Sequence, residues 1–194
     1  MTLYAIYADQ KKYQYVGSDY KQIISEFGDS KDTRFDANRS PRSYKDIWKN
    51  PIGIYFGSDK KGLLIPDISE HQGRLFLSEK AYDVLKDIID QDGEFLPVVY
   101  DGSKGFMFNT LRLAEDLEAL DETQCEQDEY GDVMSIGFHE GKLQNVSIFR
   151  AKFDRFYVAY CTQEVKDAIE KAGLKGLLFY SDLRRPWQAN VNLL

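Results

Sequence analysis

The sequence predicts an α+β protein in which a mostly antiparallel sheet carries two main amphipathic helices, at residues 79–91 and 163–172. Three observations lead there. The stretch "YCTQEVKDAIEKAGLKGLLFYSD" (160–182) reads as a strand end, a capped helix, a glycine stop and a second strand. A looser copy of that unit occurs earlier, as "LFLSEKAYDVLKDIIDQDGEFLPVVYD" (75–101). Between them "DVMSIGF", "KLQNVSIFRAKF" and "RFYVAY" follow one another as strands with no helix interposed.

"LYAIYA" (3–8) is rich in strand formers. In "SDYKQIISEFG", Ser18 or Asp19 caps a short helix, Ile23, Ile24 and Phe27 share a face, and Gly28 ends it. Residues 28–50 are polar, with Arg34, Arg39, Arg42, Lys45 and Lys49 among Asp and Ser, and read as a long loop pinned by Trp48. "IGIYFG" is a strand, and "KKGLLIPD" a short apolar segment closed by Pro66. In the first unit Ser78 caps, Glu79 complements the helix dipole, and Ala81, Tyr82, Val84, Leu85, Ile88 and Ile89 form one stripe. Pro97 cannot donate to a ladder, so "EFLPVVY" is expected at an edge or with a bulge. A strand over 105–113 follows, and "HEGK" is expected to be a hairpin turn around Gly141. In the second unit Thr162 caps, Val165, Ala168, Ile169 and Ala172 form the stripe, and Gly173 stops the helix. Pro186 and Trp187 suggest that the first part of the tail docks.

A chain of 194 residues suits one domain, 1–194, with 1–70 as a distinct N-terminal portion and 72–182 as the core. No apolar run approaches the roughly 18 residues a membrane helix needs, so no membrane partner is expected. The start lacks the marks of a secretion signal and only two cysteines occur, which points to reduced thiols and a cytoplasmic location. The net charge of −7 is unevenly spread. Ten carboxylates (Glu115, Asp116, Glu118, Asp121, Glu122, Glu126, Asp128, Glu129, Asp132, Glu140) fall where no Lys or Arg occurs between Arg112 and Lys142. Without those ten negative charges the remainder of the chain would stand at +3. Such a segment argues against nucleic acid as a ligand and would attract a basic protein; the alternative is a solvated loop that aids solubility.

The chain offers few groups for catalysis. The two histidines, His71 ("SEHQG") and His139 ("FHEG"), sit among polar residues in apparent turns. Cys161, before a helix start, could be imagined as a nucleophile activated by His139 in a small cysteine-dependent hydrolase, though alternation buries every second residue of "FYVAYC". "DETQCEQDEYGD" fails the calcium-loop pattern, and no zinc spacing or phosphate-binding glycine loop occurs. No catalytic residue, metal or cofactor is therefore assigned. The 13 tyrosines suit a protein interface. The expected contact surface is Glu115, Asp116, Glu118, Asp121, Glu122, Glu126, Asp128, Glu129 and Asp132, with Tyr130 as an aromatic anchor. A non-catalytic scaffold or oligomerisation module is the remaining reading.

The segments "LFLSEKAYDVLKD", "EFLPV", the Asn109-containing strand leading to "LEALD", "IFR" (148–150) and "VKDAIEKAGLKGLLF" resemble the immunity protein 11 group of bacterial polymorphic toxin systems, over about residues 62–180. The resemblance implies a small cytoplasmic protein that binds and blocks a cognate toxin domain and has no reaction of its own. Its common positions, Ser78, Pro97, Asp121, Phe149, Arg150 and Gly176, are expected to be structural: cap, edge strand, turn, core, paired charge and tight turn. Many such toxins act on nucleic acids and carry basic clefts, which a carboxylate-rich face could occupy.

Overall fold

A computed structural model describes residues 1–184, and the expectations for Pro186 and Trp187 lie outside them. Those residues form an α+β fold. The chain runs β1 (Leu3–Ala8), β2 (Tyr15–Ser18), α1 (Tyr20–Phe27), β3 (Ile52–Gly57), β4 (Ile68–His71), β5 (Arg74–Ser78), α2 (Glu79–Ile89), β6 (Gly93–Tyr100), β7 (Ser103–Thr110), β8 (Glu126–Gln127), β9 (Val133–Ser135), β10 (Ile148–Arg150), β11 (Ala159–Thr162), α3 (Gln163–Lys171) and β12 (Leu177–Tyr180). A four-stranded antiparallel sheet has the order β10-β11-β1-β12, and a six-stranded sheet the order β2-β3-β6-β7-β5-β4.

The two repeated units share a topology as well as a pattern. In the first, β5 and β6 both run antiparallel to β7, which lies between them. In the second, β11 and β12 both run antiparallel to β1, which lies between them. Each unit is therefore a split β-α-β, with a strand from elsewhere in the chain inserted between its parallel pair. The inserted strand in the second unit comes from residues 3–8, so the start of the chain is built into the C-terminal sheet. The helices α2 and α3 bury Ala81, Leu85, Ile89, Val165 and Ile169 in one shared core with Leu75, Leu77, Phe108, Ile148 and Cys161.

Local chemistry sets the helix ends. Asp19 accepts from the Lys21 and Gln22 amides and Gly28 closes α1 at φ 85°. Ser78 caps α2 through the Ala81 amide. Thr162 occupies the α3 N-cap without a side-chain bond, and Gly173 ends that unit at φ 66°.

Two expectations are corrected, and a third is extended. β6 is an interior strand, and Pro97 is tolerated because the parallel ladder to β3 involves only Val98 and Val99, just beyond it. The Pro97 carbonyl is used instead, accepting from Trp48 Nε1 at 2.8 Å. "HEGK" forms a 3-10 turn (Glu140–Leu143) rather than a hairpin, because Leu143 is drawn into a core with Phe138, Val146 and Phe149. The segment 28–50 has no regular secondary structure, yet Phe35, Tyr44 and Trp48 pack from it into a second core with α1 and one face of the larger sheet.

Candidate functional site

The acidic segment is built over the third core. Ala114, Ala119, Ile136 and Phe138 point inward, so Glu115, Asp116, Glu118 and most of 122–132 are left around the outside. Backbone bonds from Asp121 N to Gly137 O and from His139 N to Ala119 O lock the two limbs together. The short β8–β9 ladder then presents the turn 128–132.

Four of the ten expected contact residues serve the segment itself. Glu115 accepts the Lys152 and Phe153 amides at 2.9 Å each. Asp121 accepts from Thr123 Oγ1 at 2.6 Å, from the Thr123 amide at 3.1 Å and from Gln124 Nε2 at 2.5 Å. Those bonds from Thr123 and Gln124 hold the Asp121 carboxyl below its ordinary range. Asp128 accepts the Tyr130 and Asp132 amides at 2.9 and 2.8 Å. Glu118 meets Lys142 at 3.0 Å, and its carboxyl is lowered for that reason. That leaves Asp116, Glu122, Glu126, Glu129 and Asp132 exposed, beside a Tyr130 side chain that is 77 % exposed. Nothing in the sequence signalled Arg155, whose guanidinium reaches the Gly131 carbonyl at 2.9 Å and ties this turn to the 152–157 segment.

The residues considered for catalysis lie apart in environment. Cys161 is fully buried in the helix-packed core, and burial pushes its thiol up, which opposes thiolate formation. His139 is exposed and lies 3.9 Å from Asp121 Oδ2. His71 is not in a turn: it ends β4, opposite Arg74, and burial followed by the Arg74 charge lowers its pKa. Among the described residues, no three His, Cys, Asp or Glu side chains converge as metal ligands.

The most concentrated polar chemistry lies inside. Arg74 of β5 and Arg150 of β10 are 1 % and 0 % exposed. Arg74 donates to the Phe35 carbonyl at 2.6 Å, to the Asn38 carbonyl, and through Nε to Asn109 Oδ1 at 3.2 Å. Arg150 donates to the Arg39 carbonyl at 2.7 Å and to the Thr110 carbonyl. Its hydrogen-bond partners are thus carbonyl oxygens, where a carboxylate partner was expected. Asn109 Nδ2 completes the set by donating to Glu94 Oε1 at 2.7 Å and to the Arg42 carbonyl at 2.8 Å. Glu94 also accepts the Tyr44 amide at 2.7 Å and Ser43 Oγ at 2.6 Å. This network fastens the 35–44 loop onto both sheets by its own carbonyls. Burial lowers both guanidinium pKa values, so these hydrogen bonds are what offsets the desolvation of the charges.

Asn109 and the Arg of "IFR" are thus structural keystones of the motifs that carry the family resemblance. No curated protein matches the chain. A sequence model of the immunity protein family (Imm11) matches residues 10–182, which takes in the 10–61 segment that the recognisable motifs did not reach. The matched stretch spans nearly the whole of the described structure, and the chain belongs to the Imm11 immunity protein family.

Proposed function

We propose that this protein neutralises a cognate bacterial toxin domain by stoichiometric binding in the cytoplasm, without a reaction of its own, and that the outer side of 115–132 covers a basic active-site cleft of that toxin. Family membership supports a toxin partner in general. The observation that carries the choice of surface is the division of labour within the acidic segment. Glu115, Asp121 and Asp128 hold its shape, so Asp116, Glu122, Glu126, Glu129 and Asp132 are presented on a preorganised scaffold with Tyr130 among them. Preorganised charge lowers the ordering cost of binding and steers encounter with an oppositely charged cleft. The buried Cys161 thiol favours this reading over the hydrolase.

The test is co-expression and purification with the toxin domain encoded beside this chain. Glu122→Lys, Glu126→Lys and Glu129→Lys together are expected to leave the fold intact. They should slow association by roughly tenfold or more and weaken its salt dependence. Unchanged association kinetics for the triple variant would remove the acidic surface from the contact.

A further inference from the structure

One face of the six-stranded sheet is only half covered. The helix α2 lies over it where Tyr82 stacks on Phe106 at 4.0 Å and meets Phe95 edge-on at 5.0 Å. Beyond the helix the same face continues to Pro97 and Val99 of β6, then to β3 and β2. The register sets Val99 beside Gly53, Tyr55 opposite Gly17, and Gly57 opposite Tyr15. Positions 15, 17, 53, 55, 57, 97 and 99 therefore share one side without a charged residue among them, and the charges that share or border it stand at its ends, Lys104 opposite Val99 and Asp19 beside Gly53. A sheet face that meets water normally alternates to polar residues at such positions.

Two tyrosines pave this face. A Cβ on Gly57 would stand 2.4 Å from Tyr15 Cζ, and one on Gly17 would stand 2.3 Å from Tyr55 Cζ. Each ring thus lies flat across a glycine of the facing strand, from two Tyr-x-Gly triplets, "YVG" and "YFG". The rings remain open to solvent: Tyr55 is 54 % exposed, Tyr15 42 % and Val99 39 %. Leu64 and Ile65, also exposed, adjoin through the bridge between Tyr13 and Leu64. A groove of about 220 Å³ runs beside Tyr15 between Tyr13, Asp59 and Lys60.

We propose that this face is a homodimer interface, covered by the same face of a second copy related by a two-fold axis. The rim decides the occupant. Exposed Asp59 and Lys60 follow β3, and exposed Asp101 and Lys104 flank the turn between β6 and β7. An isologous contact sets each residue against another of the same patch, so a rim carrying both signs can pair with itself, whereas a single-signed rim would repel. The acidic segment, which would oppose self-association, is built over the four-stranded sheet instead. Two such faces would stack about 10 Å apart as a sheet-on-sheet contact with tyrosines at its centre. This inference does not depend on the toxin reading.

Sedimentation velocity of the full chain over a concentration series tests it. The expected result is a species of twice the chain mass that dissociates on dilution. Tyr55→Glu and Val99→Asp are expected to give monomers with an unchanged circular dichroism spectrum. Should Tyr55→Glu fail to fold, Tyr55→Ser keeps the face uncharged and is expected to raise the dimer Kd by roughly tenfold. A monomer at all concentrations up to about 100 μM, typical of the range where weak dimers show, overturns the proposal. So does a dimer whose Kd these variants leave unchanged. A monomer that loses toxin binding through Tyr55→Glu overturns it in favour of toxin docking on this face.

Discussion

Replacing Asn109 with leucine keeps the number and branching of the side-chain heavy atoms and removes the polar atoms at the centre of the buried network. Asn109 is fully buried, and three short bonds to it are lost, to Glu94 at 2.7 Å, from Arg74 Nε at 3.2 Å and to the Arg42 carbonyl at 2.8 Å, together with a long one from Arg150 Nη2 at 3.5 Å that adds little. Two of the three short bonds involve charged groups, each worth about 1.5–3 kcal/mol, and the neutral one contributes about 0.5–1.5 kcal/mol. Leucine returns about 1–2 kcal/mol of apolar burial. The net expectation is a loss of about 4 kcal/mol, which for a chain of this length lowers Tm by roughly 8–16 °C. Urea unfolding followed by far-ultraviolet circular dichroism measures it. Amide exchange at Tyr44, whose N–H is held by Glu94, should accelerate more than that of the α2 amides. A stability loss below about 1 kcal/mol would refute the assignment of this network as the clamp on the 35–44 loop.

Other expectations follow from the same geometry. Burial pushes the Asp154 carboxyl up to about 7 and the Glu70 carboxyl up to about 8. Between the ordinary carboxylate range near pH 4 and those values the folded state binds more protons, so stability should decline as pH rises through that window. A Tm that climbs steadily from pH 4 to 8, or is unaffected by Asp154→Asn, would contradict this. Gly176 sits at φ 125°, where a Cβ would come 2.1 Å from the Ile68 carbonyl oxygen and 2.5 Å from Pro66 Cβ. Gly176→Ala should therefore cost about 3 kcal/mol in thermal unfolding, and a variant of wild-type stability would show that the tight approach is not required. Cys161 is fully buried and Cys125 half-buried. A thiol reagent should therefore modify Cys125 first and reach Cys161 only as fast as the protein unfolds; rapid labelling of Cys161 in folded protein would contradict its placement.

The helices were legible because their signals are local. Asp19 and Ser78 precede apolar stripes, Gly28 follows one, and α2 and α3 lie within two residues of their expected bounds. Strand existence was legible for β1, β3, β6, β11 and β12, but the place of a strand was not. Pro97 argued for an edge because a missing donor is a local fact, whereas the two-residue ladder that makes it harmless is a property of β3, more than forty residues away. β4 went unrecognised because "ISEH" is short and half polar and gains its strand geometry from pairing with β5. The polar 28–50 segment read as a long loop pinned by Trp48, and composition could not show that its carbonyls are consumed by Arg74, Arg150 and Asn109 from distant strands.

The sequence by itself determined the fold class, the two β-α-β units, the acidic character of 115–140 and the family. All of these rest on periodicity, capping chemistry, charge counting or short motifs, which need only neighbours along the chain. The tertiary structure alone decided that both units are split by a third strand. It also decided which carboxylates build the acidic turn and which remain free, and that two Tyr-x-Gly triplets lie face to face as an uncovered patch. Those outcomes depend on which atoms compete for the same hydrogen bond or the same space, and that competition is settled between residues far apart in sequence.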